Sequence, residues 1–161
     1  RKATIYSMKN IKTLIIFFVL NFGALALGGI FAGQGASSDW YDLLNRAPWT
    51  PPGWVFGFAW TSIMICYAIY MTILWNRMSN RKKLLILYVA QWILNVSWNP
   101  SFFYYHEILL GLLIIITLII LIGFFFFSYW KSVGYYSLLL LPYLIWLCIA
   151  SSLNGYAYFM N

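Results

Sequence analysis

Five long stretches of this sequence contain no charged residue and no histidine, and together they hold most of the chain's 161 residues. They cover residues 13–38, 47–76, 84–105, 108–130 and 132–161. Each is long enough for the roughly 20 apolar residues that a helix needs to cross a bilayer. Because lipid offers the backbone no hydrogen-bond partners, such continuous runs are predicted to be helical.

We therefore predict an all-α integral membrane protein, a single domain over residues 1–161 built as a bundle of five transmembrane helices. The predicted spans lie at about 14–32, 54–75, 84–103, 109–127 and 136–158, and a long first loop covers 34–53. Composition supports this prediction, because 63% of the residues are hydrophobic and only 8% are charged. A soluble domain has about 25% charged residues, so this chain has too few to cover a water-facing surface.

The basic residues mark one side of the membrane. Apart from Arg46, every lysine and arginine precedes the first predicted span, lies between the second and third, or separates the fourth from the fifth. The positive-inside rule makes that side cytoplasmic, which predicts the N-terminus inside and the C-terminus outside. Topology thus explains the net charge of +7, and no basic stripe remains for nucleic acid.

Small residues recur every four positions along the first span, at Ala24, Gly28 and Ala32. This spacing lets membrane helices approach each other closely, so it predicts a packing surface. The partner is either a helix of the same chain or a second copy of the protein.

The fourth and fifth spans carry weaker signals. The fourth is almost entirely Leu, Ile and Phe without a polar face, and it is predicted to face lipid. Pro142, near the start of the fifth span, predicts a kink.

The first loop is rich in aromatic residues and ends in a proline pair. Trp40, Tyr41 and Trp49 are typical of an interfacial belt, but the same residues could fold over the bundle as a lid. Pro51 and Pro52 suit the first turn of a helix and not its interior, so the second span is predicted to begin there, with Thr50 as its cap.

Polar residues inside the predicted spans are the strongest functional signal, because each costs free energy unless it is paired or lines a cavity. Gln91, Asn95 and Asn99 lie four apart on the third span, and Trp98 shares their face. The amides could serve only to bind neighbouring helices. Three amides beside a tryptophan indicate that at least part of this face lines a polar pocket.

The fifth and second spans offer a similar but weaker pattern. Trp146, Ala150 and Asn154 share one face of the fifth span, and Trp60 follows the proline pair on the second. An indole combines a large apolar plate with one N–H donor, which suits flat aromatic ligands that carry acceptors. Trp60 and Trp146 could also simply pack the core.

The usual groups of hydrolytic or metal catalysis are missing from the spans. His106 and Glu107 share a loop, and no Asp or Glu lies within a span. Cys66 and Cys148 fall inside spans and are predicted to be small buried residues, with no disulfide and no metal site. Ion pumping is disfavoured for the same lack of intramembrane charge. What remains is binding, passive movement of an apolar ligand, or chemistry performed by tryptophan.

Five segments carry recognisable motifs, and they are Trp40-Tyr41-Asp42-Leu43-Leu44, Trp49-Thr50-Pro51-Pro52-Gly53-Trp54-Val55-Phe56-Gly57, Trp60-Thr61, Gln91-x-x-Leu94-Asn95-x-x-Trp98 and Pro142-Tyr143-Leu144-x-Trp146. These segments resemble the translocator protein family, also called tryptophan-rich sensory proteins or peripheral benzodiazepine receptors. They occur in order over nearly the whole chain. The chain looks like a bacterial member in the cytoplasmic membrane.

The resemblance implies a homodimer of five-helix bundles whose pocket binds protoporphyrin IX, haem-like tetrapyrroles or isoquinoline-type ligands beneath the first loop. No further cofactor and no metal are expected. Carried over residue by residue, the ligand-binding positions are Trp40, Tyr41, Pro51, Trp60, Gln91, Asn95, Trp98 and Trp146. Trp60 and Trp146 match positions linked to light-dependent porphyrin breakdown in some bacterial relatives.

Three functions stay open on the sequence alone. The leading hypothesis is a membrane receptor or sensor that binds a tetrapyrrole between the helices. The alternatives are a transporter of porphyrin-like or other apolar ligands and a light-dependent porphyrin-degrading activity of the pocket tryptophans. The basic residue that a sterol-recognition pattern needs after Tyr156 or Tyr158 is absent, so sterol recognition is not supported.

Overall fold

The computed structural model describes the backbone of residues 2–161 and the side chains of residues 9–161. Within this part of the chain all regular structure is helical. The α-helices are α1 (Lys2–Phe31), α2 (Asp39–Leu43), α3 (Gly53–Arg77), α4 (Arg81–Asn99), α5 (Ile108–Ser128), α6 (Trp130–Val133) and α7 (Leu141–Met160). Short 3₁₀ helices cover Gly35–Ser37 and Gly134–Leu140, and a π-helical turn covers Pro100–Tyr104.

The five long helices pack as a closed ring. Going round the ring, α1 contacts α3, α3 contacts α7, α7 contacts α5, α5 contacts α4, and α4 returns to α1. The short turn between α4 and α5 makes them neighbours, as the sequence predicted. We call the end of the ring that carries residues 34–52 the loop end.

Four helical segments are long and apolar enough to cross a membrane, in the part of the chain that the structure describes. They are Lys9–Ser37, Gly53–Arg77, Ile108–Ser128 and Trp130–Met160. The remaining long helix, α4, is less apolar because it begins with Arg81, Lys82 and Lys83 and carries three amides further on. An all-helical membrane bundle is therefore confirmed.

Helix α5 has one face in the core and an exposed apolar face opposite, so the prediction that it faces lipid is restricted to the exposed face. Ile115, Leu118, Ile122 and Phe125 are at most 2% exposed and contact the other helices, whereas Ile120 on the opposite face is 68% exposed. The sequence could not separate the two faces, because both consist of large apolar residues. Packing against α4 and α7 decides which one is buried.

The small-residue stripe of α1 packs within the chain. Ala24 and Ala32 are 3% and 7% exposed. A Cβ added at Gly28 would lie 2.7 Å from Nδ2 of Asn99, so the glycine allows α4 to come close. Of the two predicted partners, this stripe uses helices of its own chain.

Two helix starts differ from their predictions. Pro52, and not Thr50, is the N-cap of α3, and the Thr50 hydroxyl donates to the Ala47 carbonyl at 2.7 Å inside the loop. Pro142 does not kink a continuous α-helix. It lies in the first turn of α7, where its missing N–H costs nothing, and the chain before it is 3₁₀.

Candidate ligand-binding site beneath the first loop

The first loop lies across the loop end of the ring and is tied to α7 at two points. The Asn45 N–H donates to Oδ1 of Asn161 at 2.9 Å, and Nδ2 of Asn161 donates to the Asn45 carbonyl. The Trp49 indole N–H donates to the Ser152 hydroxyl at 3.1 Å. These bonds give the loop the position of a lid, which was one of its two predicted roles.

Trp40 binds the lid to the turn between α4 and α5. Its ring stacks on His106 with 4.1 Å between centroids and 14° between planes, and it meets the edge of Phe102 at 5.4 Å. The backbone of His106 has a φ of 59°, a left-handed conformation in which non-glycine residues are uncommon. Trp40 therefore packs against this turn and does not line the cavities described next.

A cavity of about 570 Å³ lies beneath the lid, between α1, α3 and α4. This volume falls within the range of small-molecule sites in proteins. Of the positions that the resemblance implied, Tyr41, Pro51, Trp60 and Trp98 line it. Other lining residues are Leu25, Gly29, Arg46, Phe56, Gly57, Thr61, Asn99 and Phe103.

The walls of this cavity are mostly aromatic or small, with few polar groups. The Trp98 N–H is already used, since it donates to Oδ1 of Asn154 at 3.3 Å. Trp60 and Asn99 line the cavity, and their side-chain N–H donors make no hydrogen bond to any residue whose side chain the structure describes. An apolar pocket with a few unpaired donors suits a flat aromatic molecule with acceptors.

Two smaller spaces adjoin the large cavity. One of about 40 Å³ reaches towards α7, where Ala150 and Asn154 line it. The other, of about 20 Å³, is lined by Asn95 and Trp146, among others. Phe56 and Trp98 line all three spaces, so these two side chains form the partition between them.

The amides of α4 serve mainly as links between helices. Gln91 and Asn95 both donate to the hydroxyl of Tyr143 on α7, at 2.6 Å and 2.7 Å. Gln91 is 3% exposed and lines none of the three spaces, and its Oε1 has no hydrogen-bond partner among the described residues. For Gln91 the structure favours the helix-linking alternative, whereas Asn95 both links helices and lines the smallest space.

Similar bonds hold the rest of the ring. The Asn154 side chain accepts from Trp98 on α4 and donates to the Ile108 carbonyl at the start of α5, at 2.9 Å. Asn21 on α1 donates to the Met64 carbonyl and accepts from the Tyr88 hydroxyl at 2.6 Å.

Comparison with known proteins agrees with the motifs and the helical bundle. The model of the TspO/MBR family matches residues 15–160. The chain belongs to the TspO/MBR family.

Relatives of this TspO/MBR chain come from bacteria, archaea and animals. The tryptophan-rich sensory protein of Cereibacter sphaeroides is 29% identical over 140 residues, covering 85% of this chain and 88% of the relative. The tryptophan-rich protein TspO of Archaeoglobus fulgidus is 32% identical, with 86% and 90% covered. The translocator protein of Bos taurus is 26% identical, with 80% of each chain covered.

Several residues that shape the site of this family member were not among the predicted ligand positions. Phe56 lies within the quoted motif that begins at Trp49 but was not among the ligand positions, and Phe103 carried no signal because phenylalanine is frequent throughout the chain. Asn99 was visible as the third amide of the series on α4. Arg46 was visible only as the one basic residue away from the others.

Proposed function

We propose that this TspO/MBR protein is a membrane receptor or sensor that binds porphyrins or other tetrapyrroles in the cavity beneath the lid. The observation that carries the proposal is the 570 Å³ cavity with its aromatic walls and unpaired donors. A porphyrin is a flat conjugated plate whose faces are apolar. Aromatic side chains bind such plates by stacking and by edge-to-face contacts.

The walls offer the macrocycle contacts on several sides. Tyr41 lines the cavity from the lid, and Trp60 lines it from α3. Trp98 lines it from α4, and Phe103 lines it from the π-helical turn that follows. Isoquinoline-type ligands, which pair a flat aromatic system with an amide acceptor, fit the same wall and the free donors of Trp60 and Asn99. We propose them as a second ligand class of this site.

Binding can be tested by titrating the purified protein in lipid nanodiscs with protoporphyrin IX and recording tryptophan quenching. We expect saturable quenching, with an affinity about 3- to 10-fold weaker in Trp60→Phe, because the indole N–H and part of the ring contact are lost. Trp130→Phe is the matched control, since Trp130 lies on α6 at the opposite end. Non-saturable quenching in the unmodified protein, or equal binding by both variants, would contradict the proposed pocket.

We propose that all five long helices cross the membrane, with the N-terminus inside and α4 as the less apolar span. Support comes from the ring, since α4 packs between α1 and α5 and two of its amides, Gln91 and Asn95, bind α7 rather than lipid. In a variant without Cys66 and Cys148, a single cysteine at the exposed Ser37 should react with an impermeant thiol reagent on intact bacteria. One at the exposed Ser79 should react only after lysis. The reverse pattern would invert the topology.

We further propose a homodimer in the bacterial cytoplasmic membrane. The stripe of Ala24, Gly28 and Ala32 is used inside the chain, so the dimer has to form through another apolar face. Light scattering of the protein in detergent should give twice the protomer mass. A monomer at every concentration would contradict this.

Light-dependent porphyrin breakdown is the second candidate function, and the position of Trp60 favours it. Trp60 lines the large cavity, whereas Trp146 is 5% exposed and lines only the space of about 20 Å³. A bound macrocycle can therefore contact Trp60 directly. Illumination should bleach bound porphyrin faster in Trp146→Phe than in Trp60→Phe. Flux of porphyrin into sealed proteoliposomes would instead support transport.

A further inference from the structure

Arg46 lies far from the other basic residues whose side chains the structure describes. Those residues lie at the end of the ring opposite the lid, and they are Lys9, Lys12, Arg77, Arg81, Lys82, Lys83 and Lys131. The acidic residues of the chain, Asp39, Asp42 and Glu107, are all at the loop end. Arg46 is thus the single permanent positive charge that residues 9–161 place at the mouth of the cavity.

The position of the Arg46 guanidinium is set by the lid. Its Cζ lies 4.8 Å from the centroid of the Tyr41 ring, and Tyr41 packs edge-on against Phe103 at 5.4 Å. Arg46 and Tyr41 both line the large cavity and the 40 Å³ space beside it. The charge is therefore held at the boundary between the aromatic cavity and water, since its side chain remains 40% exposed.

The Arg46 guanidinium is not saturated by its acidic neighbour. Its Nη2 lies 3.6 Å from Oδ1 of Asp42, beyond the distance of a good hydrogen bond. Asp42 is itself 65% exposed, so this pair contributes little. A guanidinium carries five N–H donors in a rigid fork that matches a carboxylate. Most of these donors stay available for a ligand at the cavity mouth.

We propose that Arg46 recognises an acidic group of the ligand, so that the site selects amphipathic aromatic acids over neutral aromatics of the same shape. The aromatic plate lies among Tyr41, Trp60 and Trp98, and the carboxylate lies at the mouth against Arg46. Among residues 9–161, no other basic side chain lines the cavity, so a second acidic group stays in water. This inference rests on the proposed function, because it names the chemistry of ligands for that same site.

Protoporphyrin IX and its dimethyl ester provide the direct test, because they share the macrocycle and differ only in the acidic groups. In nanodiscs of zwitterionic lipid, we expect the unmodified protein to bind the acid about 5- to 10-fold more tightly than the ester. This difference in affinity is modest because Arg46 is part-exposed, and water screens its charge. Arg46→Gln should bind acid and ester equally, with ester affinity unchanged. Arg46→Lys should keep part of the preference, since lysine retains the charge but not the fork.

Two further variants separate a specific contact from a general charge effect. Asp42→Asn removes the competing carboxylate, so we expect it to strengthen binding of the acid about 2-fold and to leave the ester unaffected. Lys82→Gln removes one positive charge at the other end of the ring and should change neither ligand. High salt should weaken binding of the acid to the unmodified protein and leave Arg46→Gln unaffected.

The possible results distinguish this inference from the function on which it rests. Equal affinity of acid and ester in the unmodified protein would overturn the role of Arg46 and leave porphyrin binding intact. An Arg46→Gln variant that binds both ligands equally poorly would show that Arg46 only supports the lid. If neither ligand binds saturably, the proposed function itself fails.

Discussion

Asn95 donates a hydrogen bond of 2.7 Å to the hydroxyl of Tyr143, and this bond joins α4 to α7 inside the bundle. The same hydroxyl accepts from Gln91 at 2.6 Å. Because a hydroxyl has two acceptor sites, Tyr143 is saturated as an acceptor by α4 alone. The least apolar of the long helices is thereby fixed to the helix that carries Trp146 and Asn154.

Removing this hydroxyl should loosen the ring. In Tyr143→Phe the ring volume is kept, but two buried amides lose their common acceptor. We expect the free energy of unfolding to fall by about 1 to 2 kcal/mol, because polar links between membrane helices are individually modest. Thermal unfolding in detergent measures this as a lower Tm.

Tyr135→Phe is the matched control for this loss of a hydroxyl. Tyr135 is 69% exposed, so its variant should keep the Tm of the unmodified protein. Equal Tm values for the two variants would show that the bonds to Tyr143 do not stabilise the bundle.

The sequence predicts the helices well because membrane spans need only length and apolar character. The sequence predicts less well which faces of the helices pack against each other. The amide series on α4 correctly marked a face that packs inward, but not that Tyr143 would take up Gln91 and Asn95. For α5 the sequence has no contrast between the faces, so it did not predict which face packs in the core.

Prediction of the candidate site from the sequence has the same limit. Tyr41, Pro51, Trp60 and Trp98 could be placed together from motifs. The stacking of Trp40 on His106 depends on a left-handed turn at His106, and nothing in the local sequence indicates it. Contacts between segments far apart in the chain depend on the complete packing, and the sequence pattern of either segment does not contain them.

The Trp40–His106 stack should keep the lid closed. In Trp40→Ala the lid loses this stacking, which is worth about 0.5 to 1.5 kcal/mol beyond the apolar contact. The lid should then open more often, and trypsin should cleave after Arg46 about 3- to 10-fold faster. Fragment sizes identify this cleavage site.

Trp54→Ala controls for the loss of a tryptophan near the lid. Trp54 is 72% exposed and lies in the first turn of α3. Its variant should be cleaved after Arg46 at the rate of the unmodified protein. A Trp40→Ala protein that resists trypsin equally well would mean that the bonds to α7 alone hold the lid.

Gly57 allows the cavity to be filled without disturbing the fold. It lines the cavity, and a Cβ added there meets no atom within 4 Å. Gly57→Leu should place its side chain in the space proposed for the macrocycle and weaken porphyrin binding about tenfold or more. The Tm should stay equal or rise, because leucine has a higher helix propensity than glycine.

Gly123→Leu is the matched control, because Gly123 is on α5, lines none of the three spaces and also has open space for a Cβ. Its variant should bind porphyrin normally. Undiminished binding by Gly57→Leu, with the fold intact, would move the ligand out of this cavity.

Gly111 and Gly155 should respond to alanine with opposite signs. A Cβ at Gly111 would lie 3.3 Å from Oδ1 of Asn154 and 3.3 Å from Cβ of Phe102, so α5 would have to move slightly away from α7 and from the π-helical turn. Overpacking of this kind costs about 1 to 3 kcal/mol, which outweighs the helix propensity gained. At Gly155 an added Cβ meets nothing within 4 Å, so alanine gains propensity without a clash. We expect a lower Tm for Gly111→Ala and an equal or higher Tm for Gly155→Ala.

Because the Asn154 carboxamide also accepts from Trp98, Gly111→Ala should in addition change the Trp98 fluorescence, whereas a merely looser α5 would lower the Tm alone.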